Sequence, residues 1–116
     1  MTAALTQIEL KRQSNAYRGT GGVSEENRSF GFRPAFFDRN AGRLFLSCFL
    51  DGTPAPMHIF DGLPDALIAE RDAEGFPIKL YASVIAGFER DGHFFTREQT
   101  AQLIEWELDK QAAIAL

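Results

Sequence analysis

The chain has 116 residues, the usual size of one domain, with a net charge of −4 at pH 7 and the composition of an ordinary soluble globule. Its single cysteine, Cys48, excludes an intramolecular disulfide and a multi-cysteine zinc site. No stretch has the apolar length of a signal peptide or a membrane span, so we expect a cytoplasmic protein without membrane association.

The N-terminal quarter carries the weakest structural signal. Residues 1–16 fit either a strand or a helix with Leu5 and Ile8 on one side, and the sequence leaves their order open. Residues 18–29 are rich in Gly, Ser, Asn and charge, which predicts an irregular loop. "GTGG" at 19–22 resembles a phosphate-binding loop, but it lacks the Gly-Lys-Ser/Thr ending and opens no clear helix, which favours ordinary loop glycine.

An alternation with period two begins at Phe30 and predicts a strand. The residues that share one side of it are Phe30, Phe32, Pro34 and Phe36. A turn at 38–42 and a second apolar strand at 43–50 complete an antiparallel hairpin. Because proline cannot donate to the strand ladder, Pro34 predicts an edge position or a bulge.

The middle of the chain predicts short elements joined by turns. "DGTPAPMHIFDGLP" is typical of an extended connector, with room for a short strand at 57–60. "PDALIAERDAEG" predicts a short helix that begins at Pro64 and ends before Gly75. Residues 78–90 are strand-like, and Asp-Gly at 91–92 turns that strand into "HFF".

A capping box marks the main helix. In "TREQ" the Thr96 hydroxyl and the Gln99 side chain can each satisfy an amide of the first turn, so a helix is expected from Arg97 to about Ala113. Its predicted apolar stripe is Ala101, Ile104, Leu108 and Ala112, widened by Leu103. Together the elements predict a single α+β domain over residues 1–116, with an antiparallel β-sheet packed against this C-terminal helix.

Charge is unevenly divided along the chain. Residues 1–43 have a balance of +3 and residues 44–116 a balance of −7. Such a split is typical of a molecule with one basic and one acidic face, although oppositely charged segments can also pack beside each other. The acidic side of the helix predicts either a solvated surface or a docking site for a protein partner, the second favoured by a tryptophan, an enriched residue at binding hot spots. The residues of this predicted protein-binding site are Glu98, Glu105, Trp106, Glu107 and Asp109.

Two alternative functions have candidate residues. Single-stranded nucleic acid binds sheets on which aromatic rings stack bases and arginines contact phosphates, although a core strand also places phenylalanine at alternate positions. The candidates for this alternative are Arg28, Arg33, Phe37, Arg39 and Arg43. A small enzyme or metal protein would use His58 and His93 with Asp61 and Asp91, but neither spacing is a ligand signature and both aspartates fit turns. We therefore predict no catalytic residue, metal or cofactor, and expect Cys48 to be a buried, inert thiol.

Three segments carry a resemblance: "TGGVSEENRSFGFRPAF", "DGTPAPMHIFDGLPDALI" and "AGFERDGHFFTREQ". They resemble a type of small uncharacterised bacterial protein on integrating and conjugative elements, over roughly Tyr17 to Thr100. The resemblance implies an intracellular accessory role in element maintenance or host defence, and no activity or site residue follows from it. The function we predict is a non-enzymatic protein that binds another protein as an accessory factor or inhibitor of a nucleic-acid-handling or defence complex. We further expect that phenylalanines not buried in the core could form an apolar patch through which the chain dimerises.

Overall fold

The structure is a computed structural model that describes residues 5–6, 9–10, 13 and 30–115, with side chains as far as Lys110. The predicted glycine loop, Ile8, Arg28 and the side chain of Ala112 lie outside the described residues. The elements with described bounds are β1 Arg33–Asp38, β2 Arg43–Leu46, the 3-10 turn Asp65–Leu67, β3 Ile68–Arg71, β4 Pro77–Leu80, β5 Val84–Arg90, β6 His93–Thr96 and the C-terminal helix Arg97–Ala115.

The predicted α+β architecture is confirmed. An antiparallel sheet has the order β2-β1-β5-β6, a separate β3–β4 hairpin lies beside it, and the C-terminal helix packs on β5 and β6. Both predicted hairpins are present: β1 pairs with β2, and β5 turns into β6 through Asp91 and Gly92. These two residues have φ values of 55° and 82°, as the tight turns that suit twisted strands require.

The phenylalanine-rich hairpin is core on one face and half-buried on the other. Phe32 and Phe36 point to the covered face, as the alternation predicts, whereas Phe37 lies on the opposite face and stacks on Phe94 at 5.2 Å. The covered face carries two core clusters. The first contains Leu5, Leu10, Phe36, Phe60, Leu63, Leu67, Ile68, Leu80, Val84 and Ala86, and the second contains Phe32, Phe88 and Ile104.

The position of Pro34 corrects the edge or bulge expectation. β1 is an inner strand, and Pro34 pairs in regular register with Phe88 on β5. The side of Pro34 that lacks an N–H is turned toward Ser47, which follows the last residue of β2. The Ser47 amide donates to the Pro34 carbonyl at 2.9 Å, while the Ser47 carbonyl accepts from Ala55 at 2.8 Å. The proline is tolerated because a loop residue supplies the hydrogen bond that it cannot make.

The helix predicted from Pro64 is wrong. Only the 3-10 turn forms, and the chain then enters β3, because Ile68 packs in the core and the Asp72 carboxylate closes a turn by accepting from the amides of Glu74 and Phe76. The strand predicted at 78–90 is two strands, β4 and β5, which belong to different sheets. No strand forms at 57–60, and β2 stops four residues short of the predicted 50.

The capping box is confirmed, but the apolar stripe is shorter than predicted. Gln99 N donates to Thr96 Oγ1 at 3.1 Å, and Thr96 N donates to Gln99 Oε1 at 2.9 Å. Ile104 is buried, whereas Leu108 is 49% exposed. The second half of the helix therefore extends past the sheet that buries the first half.

Candidate partner-binding surface

Three of the predicted acidic residues form one row on the helix. Glu98, Glu105 and Asp109 are all exposed. At 3.6 residues per turn, spacings of seven and eleven residues return to nearly the same side, so the three carboxylates line up along the helix axis. Carboxylates aligned in this way create a negative potential that a basic partner would meet as one surface.

Glu107 lies apart from this row. It is half-buried on the inner side of the helix, where its carboxylate forms an ion pair with Arg90 at 3.0 Å. The Arg90 guanidinium also lies 4.2 Å from the centre of the Phe32 ring. Glu107 thus fixes the helix to the sheet, and its charge is already compensated.

Trp106 is next to the acidic row and is 58% exposed. The ammonium group of Lys110, one turn further on, lies 5.1 Å from the centre of its ring, a cation–π contact. Leaving most of a tryptophan in water forgoes the burial of a large apolar area. An exposed ring in a defined position is a common feature of protein-binding hot spots.

A concavity of about 320 Å³ lies beside Trp106 on the same helix. Its lining residues are Phe95, Gln99, Gln102 and Leu103. Residues three and four apart are neighbours on a helix, so Gln102 and Leu103 adjoin Trp106. We call this set, together with the row Glu98, Glu105 and Asp109, the acidic–aromatic surface.

The arginines proposed for nucleic acid do not converge. Arg33 shares the half-buried sheet face with Phe37, but its guanidinium pairs at 2.5 Å with buried Glu89. Arg39 donates to the carbonyls of Ala82 and Ser83 at the turn before β5. Arg43 lies over the Phe45 ring, on the opposite face from Phe37. A row of free cations beside stacked rings is not formed by the described members of this set.

The two histidines are also apart. His58 is buried against Phe36 and Phe88 on the covered face, whereas His93 is exposed at the start of β6. Asp61 is exposed in the connector, and Asp91 forms the β5–β6 turn. Among the described residues, no group of three His, Cys, Asp or Glu side chains could hold a metal ion.

Cys48 is a free thiol and half-buried rather than buried as expected. It lies outside the named strands, in an isolated bridge to Pro54. Over the part of the chain that the structure describes, no helix combines the length and the hydropathy needed to cross a bilayer.

A buried pair that sequence reasoning missed connects His58 to Arg97. His58 Nε2 lies 2.7 Å from the Gly87 carbonyl, which can only accept, so this nitrogen carries the proton. The other ring nitrogen, Nδ1, accepts from the Arg97 guanidinium at 3.3 Å. The available signal was Arg97 itself, one residue past the cap and two turns before Ile104, on the inner side of the helix.

Burial and the positive charge of Arg97 lower the pKa of His58 from 6.5 to about 3. The native state therefore keeps this ring neutral, while the unfolded state binds a proton below pH 6.5. Stability from this residue is fully present above pH 6.5 and is lost as the pH falls toward 3.

We expect this loss to be measurable by comparison with His58→Gln, which cannot titrate at this position. Between about pH 5.5 and 4, where the unfolded ring is protonated and the native ring is neutral, the difference in unfolding free energy between the two chains should change by about 1.4 kcal/mol per pH unit. Urea denaturation at several pH values measures it. A difference that stays constant across the window would show that His58 is not held neutral.

No family model matches the chain, and neither a curated protein nor a solved structure matches it. What the acidic–aromatic surface binds must therefore be inferred from its geometry and its charge.

Proposed function

We propose that the protein is a non-enzymatic binding protein whose acidic–aromatic surface docks a partner protein. The partner carries an apolar side chain for the concavity beside Trp106 and lysines or arginines for the acidic row. The observation that carries the proposal is Trp106, which is 58% exposed and lies one helical turn from Gln102 and Leu103 in the lining of the concavity and from Asp109 in the acidic row. An aromatic anchor with a charged rim is the usual anatomy of a protein interface.

The charge of the surface favours a basic partner. Glu98, Glu105 and Asp109 form no ion pair among the described residues, so their exposed carboxylates attract cations over about one Debye length and orient a partner before contact. Proteins that handle nucleic acids expose basic surfaces for phosphates. An accessory or inhibitory role in such a complex is the form of the proposal that fits this surface.

Direct nucleic-acid binding is the less favoured function. Phosphates would be repelled by the acidic row, and Arg33, the described arginine that shares a face with Phe37, is paired with Glu89. That alternative stays a prediction, and a nuclease step in the binding experiment separates it from the protein-binding proposal.

The test is capture from nuclease-treated lysate of the native host, followed by titration of the recovered protein. Glu105→Lys with Asp109→Lys should slow association at least about ten-fold, because rim charges mainly set the association rate. Glu70→Lys with Glu74→Lys is the matched control. These two exposed carboxylates lie on the β3–β4 hairpin, and reversing them changes the net charge by the same amount.

Equal effects of the two double variants would show that only the total charge matters and would overturn the proposal. Recovery that disappears with nuclease would instead move the assignment to nucleic acid.

A further inference from the structure

A second exposed apolar feature lies in the loop after β2. The chain continues beyond Leu46, makes a tight turn at Phe49–Gly52 and returns through an isolated bridge between Cys48 and Pro54. Gly52 N donates to the Phe49 carbonyl and Phe49 N donates to the Thr53 carbonyl, each at 2.9 Å. Gly52 has a φ of 89°, which suits glycine at the end of such a turn.

The apolar side chains of this turn point into solvent. Leu50 is 80% exposed and Phe49 is 41% exposed. Turns of this kind usually carry proline or polar residues at their outermost positions. A protruding leucine beside a phenylalanine is therefore a feature that folding alone does not explain.

The turn is held rigidly from below. The Ser47 hydroxyl lies 2.8 Å from both the Met57 carbonyl and the Ile59 amide, which fixes the base of the loop. A Cβ atom at Gly62 would come within 2.8 Å of Cys48 Cβ and of the Phe49 carbonyl, so the returning chain packs directly under the turn. A rigid apolar projection loses little conformational entropy when a partner covers it.

The charge at the tip decides between two occupants. The Thr53 hydroxyl and amide both donate to the Asp51 carboxylate and lower the pKa of Asp51 below its usual value, so the tip is negative at neutral pH. A second copy of the chain meeting this turn across a two-fold axis would bring two Asp51 carboxylates together. Like charges at an interface are unfavourable, which favours a partner that offers a cation.

The turn also projects from the same end of the sheet as the second half of the helix. Leu46 is opposite Ala35, so the loop after β2 runs past the Arg33 end of β1. Glu107 forms an ion pair with Arg90. Arg90 lies at that same end, because its neighbour Glu89 is opposite Arg33 in the β1–β5 register. One partner spanning this end of the molecule can contact both features.

We infer that the Phe49–Gly52 turn is a second contact for the partner of the acidic–aromatic surface: Leu50 inserts into an apolar pocket of the partner, and Asp51 meets a lysine or arginine at the rim of that pocket. This inference rests on the proposed function, since it names a second site for the same protein.

The experiment compares three variants of the full chain as bait in nuclease-treated host lysate, with retained proteins quantified by mass spectrometry and the recovered partner then titrated. Leu50→Ser and Trp106→Ala should each lower the affinity for the same retained protein about ten-fold or more. Phe76→Ser is the matched control, since Phe76 is 54% exposed at the turn of the separate β3–β4 hairpin and should change affinity less than about two-fold.

The outcomes separate the two proposals. Loss with Trp106→Ala but not with Leu50→Ser would overturn the second contact and leave the helix surface in place. Loss with Leu50→Ser alone would overturn the assignment of the helix surface. Sedimentation velocity on the purified chain tests whether a second copy of the chain binds the turn. A dimer that Leu50→Ser converts to a monomer would show that a second copy, and not a basic partner, covers the turn.

Discussion

Replacing Gly87 with alanine is expected to destabilise the protein by about 3 kcal/mol or more. A Cβ atom at this position in β5 would lie closer than 3.0 Å to the backbone carbonyl of Phe95 and to the Phe94 ring, whose Cε1 atom would be 2.8 Å away. The carbonyl cannot move without breaking the β5–β6 pairing, and the ring crosses the glycine to stack on Phe37. Thermal unfolding should show the midpoint lowered by roughly 10 °C.

Gly75→Ala is the control for this prediction. Its Cβ would meet nothing within 4 Å, and only its φ of 91° opposes the substitution. A loss of about 1 kcal/mol is expected from backbone strain of that kind. Equal losses at the two positions would mean that the close approach of β6 to Gly87 does not exist.

The second large effect is expected in the phenylalanine pair at positions 36 and 37. Phe36→Ala should lower the unfolding free energy by about 3–5 kcal/mol, because the ring is fully buried and touches His58 and Phe60 edge to face. Phe37→Ala should lower it by only about 1–2 kcal/mol, because that ring lies half-buried on the opposite face and packs on Phe94. Chemical denaturation of the two variants measures both.

The order of these two effects is the informative result. Neighbouring residues in a strand point to opposite faces, so two identical substitutions one position apart probe which face is the core. A larger loss of unfolding free energy for Phe37→Ala than for Phe36→Ala would show that the core lies on the Phe37 face of the sheet, contrary to the structure.

The elements that the sequence predicted well are those with a local cause. The hairpin turn at Asp91–Gly92 and the capping box at Thr96 each depend on residues within a few positions of one another. The alternation from Phe30 likewise identified Phe32 and Phe36 as core before any partner strand was known.

The errors came from contacts that are distant in sequence. Pro34 is tolerated in an inner strand because the Ala55 amide donates to the Ser47 carbonyl, to which a proline, lacking an N–H, cannot donate. Residues 64–75 have the start and stop residues of a helix, Pro64 and Gly75. Ile68 nevertheless pairs with Leu80, and the middle of the segment forms β3. Local propensity was overridden by tertiary packing in both cases.

The candidate surface was predicted in part for the same reason. Helical spacing correctly grouped Glu98, Glu105 and Asp109, with Trp106 beside them. Glu107 differs because Arg90, seventeen residues earlier, draws it inward. The pairing of His58 with Arg97 spans 39 residues, so the local sequence could place Arg97 on the inner side of the helix but could not identify its partner.

The most direct test of the proposed function uses the one tryptophan of the chain. In ¹⁵N-labelled protein, the indole N–H of Trp106 gives a single resonance that reports only on the acidic–aromatic surface. Titration with the unlabelled recovered partner should shift or broaden this resonance in step with binding, and Glu105→Lys with Asp109→Lys should move the titration to higher partner concentration. A partner that binds while the indole resonance stays unchanged would contradict the proposal.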